Sequence, residues 1–235
     1  MSEDVNAIAS AVEEVAKVTG KSVDAISKLG GFISEYTRAP LEAAVGIFAD
    51  KLNYMRWERQ QRLLIRAREF SARAGLSGPT RPVPLSFAVP LLESASLEED
   101  DSLQDLWAIL LVNAADVTTA IDHRRAYISI LEQLNPLDAL ILSKVYGLPY
   151  GLNDEGDDRA AVTSELPDTA RLMQEGDELN TIVHPSEEVT LSLANLVRIG
   201  CLDAEEGWSG KKDYRYVYRN VLGRAFVEAV TLNEC

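Results

Sequence analysis

Apolar positions recur at three- and four-residue intervals along most of the chain, the mark of helices that bury one face. Val5, Ile8, Val12, Val15, Val23, Ile26 and Leu29 keep this spacing, interrupted by Gly20. They predict one or two short amphipathic helices over 4–29, ended by Gly30-Gly31. Pro40 suits the first turn of a further helix, and Val45, Phe48, Leu52, Met55, Arg59, Leu63, Ala67, Phe70 and Ala74 then succeed one another three or four apart. That spacing predicts one long helix closed by Gly75. "GLSGPTRPVPLSFAVP" (75–90) has four prolines and two glycines and reads as a connector, with Pro90 opening a short helix through Ala95. Ser96 with Glu99, or Asp101 with Gln104, offers a capping box for the next helix, whose face is Leu103, Leu106, Trp107, Leu110, Leu111 and Ala114. Tyr127, Ile130, Leu131 and Leu134 predict another. Asn135-Pro136 ends it and caps a helix in which Leu137, Leu140, Ile141 and Val145 are buried.

Past Gly147 the periodicity fails. Residues 147–185 are rich in Gly and Pro, and nine acids face two arginines between Asp154 and Glu178. This reads as an acidic excursion, either a solvated insertion or a segment that supplies partners for the arginine helix or mimics phosphate. "LSLANLVRIG" restores a helix, with Gly200 as its stop. "CLDAEEGWSGKKDYRYVY" then alternates Tyr214, Tyr216 and Tyr218 with Arg215, Val217 and Arg219, two strands around a Gly-containing hairpin, before a last helix, "VLGRAFVEAV". Helix, hairpin and helix after two earlier helices is the order of a winged helix. The expected fold is therefore mainly α: a helical domain with a long amphipathic helix, then a winged-helix-like C-terminal domain with a small β-hairpin. Four segments follow: 1–78, a basic amphipathic region; 79–146, a helical core; 147–187, the acidic insertion; and 188–235, helix-hairpin-helix.

Charge sharpens this outline. The 235 residues carry a net −14, yet from Lys51 to Arg81 eight bases stand against two acids. On a helical wheel Arg59, Arg62, Arg66 and Arg73 fall together beside the apolar stripe, and Arg68 falls opposite. These four are the candidate partner-binding residues. Their stems can cover apolar surface while the heads meet this chain's own acids, those of a second copy, or phosphate. A homo-oligomer assembled through the N-terminal helices is expected, and a further protein partner is compatible with it.

Chemistry is sparse. The supposed recognition helix offers Asn195 and Arg198, and the hairpin adds Lys211, Lys212, Arg215 and Arg219; these basic residues are the candidate nucleic-acid contacts of an alternative reading. His123 in "IDHRR" and His184 in "IVHPS" have no second ligand at metal-binding spacing. Asp122 reads as the cap of the following helix. Acidic runs "EEDD" (98–101) and "DEGDD" (154–158) lack calcium-loop spacing and read as solvated. Nucleophile-elbow, phosphate-loop and zinc-protease motifs are absent, as is the arginine-to-histidine motif of small helical ribonucleases. No catalytic residue, cofactor or metal is assigned. Cys201 and Cys235 make no disulfide framework. "MSEDVNAIAS" lacks a secretory signal, so a cytoplasmic location is expected. "GGFISEYTRAPLEAAVGIFADKL" is interrupted by Glu35, Arg38 and Glu42, which favours a helix buried in a bundle over a membrane segment.

"PVPLSFAVPLLESASLEEDDSLQDLWAILLVNAAD", "HRRAYISILEQLNPLDALIL", "SLANLVRIGCLD" and "VLGRAFVEAV" together resemble the bacterial abortive-infection alpha family, over roughly residues 40–145 and 188–235. The resemblance rests on the combination of the proline-flanked entry at Pro82 to Pro90, the Leu106–Leu111 face, the Leu134–Ala139 turn and the Asn195–Gly200 segment. Cys201 stands where Leu is common. The resemblance implies a mostly helical cytoplasmic bacterial protein associated with phage resistance, without catalytic residues to carry over. Three functions follow as expectations: a defence protein acting by macromolecular binding, a winged-helix nucleic-acid regulator, and a membrane-perturbing effector.

Overall fold

The computed structural model describes residues 23–38, 57–149, 159–178, 181–206 and 210–233. Of the helices expected over 4–29, the part before Val23 lies outside the described residues, as does the start of the long helix at Pro40. Those described form a mainly helical fold with a small antiparallel four-stranded sheet, in two compact units: one runs to Ile128 and includes the residues from Val230 on, the other spans Ser129–Ala229.

Among the described residues, the first unit holds α1 (Val23–Thr37), α2 (Trp57–Arg73), α3 (Leu85–Leu97) and α4 (Asp101–Ala114). Helix α1 does not stop at Gly30-Gly31 as the sequence predicts. It continues for two turns because Phe32, Ile33 and Tyr36 are buried there, with Phe32 and Tyr36 stacked at 4.4 Å, and burial outweighs the roughly 1 kcal/mol that each helical glycine costs. Helix α2 buries Leu63, Leu64, Ala67 and Phe70. Its end follows the expected glycine stop: Gly75 takes φ 70°, its N–H bonds the Ala72 carbonyl at 3.0 Å, and the Leu76 N–H returns to Ser71 at 2.8 Å.

The connector is shorter than expected. Helix α3 begins at Leu85, so Pro90 lies inside it. A proline there removes one helical hydrogen bond, at a cost of about 3 kcal/mol, but Phe87, Ala88, Leu91 and Leu92 are all buried by keeping the helix intact. Neither predicted capping box starts α4. Ser96 is buried inside α3, and Asp100 is the cap, accepting from the Ser102 and Leu103 N–H groups at 2.9 and 3.1 Å. Trp107 is 1% exposed at the centre of the unit. Arg81 closes the end of α4, donating to the Ala114 and Ile121 carbonyls at 2.8 and 2.7 Å.

Helix α5 (Arg125–Leu131) carries the chain into the second unit, which holds α6 (Pro136–Tyr146), β1 (Ala161–Val162), β2 (Arg171–Leu172), α7 (Glu187–Arg198), β3 (Leu202–Asp203), β4 (Tyr216–Arg219) and α8 (Val221–Ala229). Asn135 caps α6 as expected, reciprocally with Asp138. The sheet order is β2-β1-β4-β3, with Ala161 opposite Leu172 and Val217, and Leu202 opposite Arg219. The acidic excursion is thus partly structural. Ala160, Ala161, Val162, Thr163 and Leu166 are buried, and β1 is an inner strand. Composition misled because the nine acids surround a short apolar core segment, Ala160 to Val162.

Candidate interaction surfaces

The arginines of α2 find acids within the same unit. Arg59 reaches Glu99 at 2.8 Å and the Leu97 carbonyl at 2.9 Å. Arg62 meets Asp101 at 3.1 Å, and Arg66 bridges Asp101 and Asp105, both at 2.9 Å. Because Arg62 and Arg66 pair with acids that are likewise four residues apart, α2 and α4 lie side by side in the same direction. Arg59 and Arg66 are only 16% and 19% exposed, so their stems cover apolar surface while their heads stay paired. Arg73 stands over the Phe70 ring, 5.4 Å from its centroid. Burial raises the Asp105 carboxyl above its ordinary range, and the Arg66 charge works against that rise.

One sequence-based expectation changes here. "EEDD" is not simply solvated: Glu98 accepts from the Glu99 and Asp100 N–H groups, Asp100 caps α4, and Glu99 and Asp101 hold arginines. Among the described residues, acids at 99–105 meet the α2 arginines. The four-residue step Asp101/Asp105 opposite Arg62/Arg66 was the signal that could have found them.

In the second unit, the polar residues of α7 are committed to neighbours. Asn195 donates to the Gln133 carbonyl at 2.9 Å and to Asp138 Oδ2 at 2.8 Å; Arg198 bonds Gln133 Oε1 at 2.9 Å and Asn195 Oδ1 at 2.7 Å. Together they tie the end of α7 to the start of α6. Arg219 is 8% exposed and donates to the Leu148 and Pro149 carbonyls at 2.9 and 3.3 Å. Arg215 is paired with Asp213, whose carboxyl that contact holds below its usual range. Lys211 and Lys212 are exposed. Tyr216 and Tyr218 pack edge to face and both donate to the Glu205 carboxylate, at 2.8 and 2.9 Å.

Of the remaining reactive groups, His123, Cys201 and Tyr146 are packed against neighbours. His123 is half-buried, its Nε2–H donating to the Ala114 carbonyl at 2.9 Å, with the Phe87 ring 5.4 Å away. Asp122 holds the Arg124 guanidinium at 2.8 Å. His184 is exposed. Cys201 is fully buried, and that burial, with the nearby charge of Asp138, pushes its thiol up to about 12. Tyr146 is likewise pushed up to about 12 by burial; its hydroxyl donates to the Cys201 carbonyl at 2.7 Å and accepts from the Asn220 N–H at 3.1 Å. This close approach requires Gly223, because a Cβ there would lie 2.0 Å from both the Cys201 and Tyr146 oxygens. Among the described residues no cluster of three or more His, Cys, Asp or Glu could hold a metal ion, and no helix is long and apolar enough to cross a membrane.

Compared with known proteins, the chain matches the family described as abortive infection alpha over residues 58–230. No curated protein and no solved structure matches it.

Proposed function

Because the chain belongs to the abortive infection alpha family, we propose that it is a phage-defence protein that acts by binding another macromolecule and not by catalysis. The observation that carries this reading is the engagement of its reactive side chains. The Cys201 thiol is held at about 12, far from a nucleophile's range, while His123 donates to a backbone carbonyl and the hydroxyls of Tyr146, Tyr216 and Tyr218 bond Glu205 or backbone. Abortive infection is tested by phage plating on bacteria that express the chain. Plating efficiency should fall by about tenfold or more against an empty vector, and His123→Gln, His184→Gln and Cys201→Ala should retain that protection. Loss of protection in any of these variants, with folding intact, would overturn the binding reading.

A second reading is a winged-helix-like nucleic-acid regulator. It is supported by the succession α6, β1, β2, α7, β3, β4 with β4 between β1 and β3, and by exposed Lys211 and Lys212 at the hairpin. Titration of duplex DNA against the chain separates the two. Affinity that falls steeply with salt favours the regulator, and absence of binding at low salt removes it.

A further inference from the structure

Helix α7 is the element that a winged-helix-like reading would send into a DNA groove, yet its outward face is built for something else. Val189, Ser192, Leu193 and Leu196 are its buried side. At about 100° per residue, Glu187, Leu191, Ala194 and Arg198 run along the opposite side. Leu191 is 67% exposed, and Val183, just ahead of the helix, is 71% exposed. Ala194 and Val197 are half-buried beside them, and Glu187 and Glu188 are exposed at the N-terminal end. Arg198, at the far end, is already bonded to Gln133 and Asn195.

Charge decides between possible occupants. In helix-turn-helix readers the first turns of the second helix approach the base edges. Here a polyanion would meet two glutamates on a unit that carries eighteen acids and nine bases between Ser129 and Ala229. A second copy docked parallel through the same face would set those glutamates against themselves, and one docked antiparallel would bring them to Arg198, whose guanidinium is already bonded to Gln133 and Asn195. A cationic helix meets neither obstacle. Its apolar residues, three and four apart, can cover Leu191, Ala194 and Val197 while flanking lysines or arginines face Glu187 and Glu188.

We infer that the outward face of α7, anchored on Leu191 and edged by Glu187 and Glu188, docks a basic amphipathic helix of a partner protein. This inference rests on the binding reading above and names the class of partner. The test is fluorescence anisotropy of a labelled Leu/Lys amphipathic peptide against the full chain, with a shuffled peptide of the same composition as control. Leu191→Asp and the pair Glu187→Lys/Glu188→Lys should each weaken binding by about tenfold or more, and the shuffled peptide should bind weaker by a similar factor. Val221→Asp, at an exposed apolar position on α8, should leave binding unchanged. Equal binding by all variants, or by the shuffled peptide, overturns the inference. So does duplex DNA binding that Leu191→Asp abolishes, or a dimer in sedimentation that Leu191→Asp dissociates.

In phage plating, Leu191→Asp should lose the protection that the parent chain gives. Protection retained by a folded Leu191→Asp chain overturns this face while leaving the defence reading standing. A parent chain that gives no protection sinks the defence reading instead, and the peptide titration then decides on the face by itself.

Discussion

Position 223 gives the sharpest test at the level of single residues. Any side chain there must displace the Cys201 carbonyl, the Tyr146 ring or α8 itself, so Gly223→Ala should cost about 1–3 kcal/mol, read as a shift in the denaturant midpoint. Tyr146→Phe should cost about 1 kcal/mol through loss of the hydroxyl's bonds to Cys201 and Asn220. It should not rescue Gly223→Ala, since the Cys201 carbonyl still blocks a Cβ. Cys201 itself should stay silent toward a disulfide reagent at pH 8 until the chain unfolds. That is checked in a Cys235→Ser background, where labelling and unfolding should follow one denaturant curve; labelling under native conditions at the rate of a free thiol would contradict the thiol's placement.

Among elements, the α2–α4 contact sets the scale of the ion pairs. Arg62 is 44% exposed with a partner that is 69% exposed, so Arg62→Ala should cost under about 1 kcal/mol. Arg66 is less exposed and holds two acids, and Arg66→Ala should cost more than Arg62→Ala, with an effect that salt reduces less. Equal costs in thermal melts at low and high salt would contradict the arrangement. The sequence made much of this element readable. The seam of α2, its Gly75 stop, the face of α4, the Asn135 cap and the Gly200 stop all follow from spacing and end chemistry. Where reading failed, tertiary burial had overruled a local signal: Phe32 and Ile33 carry α1 past two glycines, and Phe87 and Leu91 hold α3 together across Pro90. The candidate surface was legible as a row of arginines, but their partners lie about 40 positions further on and needed the helix pairing to be known. The outward face of α7 escaped notice because Asn195 and Arg198 look like base readers until their bonds to Gln133 are seen.

For the whole molecule, alkaline pH acts on both units. Tyr36 in the first, and Tyr146, Tyr216 and Cys201 in the second, are each pushed up to about 12, chiefly by burial. The folded chain therefore keeps protons that the unfolded chain releases from about pH 9 to 10, the ordinary range of these groups. Their contribution to stability is complete below that range and is lost as pH rises toward 12. Tyrosine absorbance should accordingly show ionisation coupled to loss of helical circular dichroism; independent titration near pH 10 with the helices intact would contradict it. Charge also frames function at this scale. With Arg59, Arg62 and Arg66 paired, Lys211 and Lys212 remain exposed on a strongly acidic unit, which makes protein the easier partner and gives the DNA titration its expected outcome of weak, salt-sensitive binding at most.

The tight meeting of Tyr146 with the bare backbone of Gly223 has an evolutionary corollary. In a lineage that replaces the glycine, the tyrosine and the Cys201 carbonyl have both lost their seat, so the two positions should drift as a couple, and a relative with alanine at the first should carry a smaller residue at the second together with a backbone displaced at Cys201. An alignment in which they vary independently would show that other descendants pack this corner by another route.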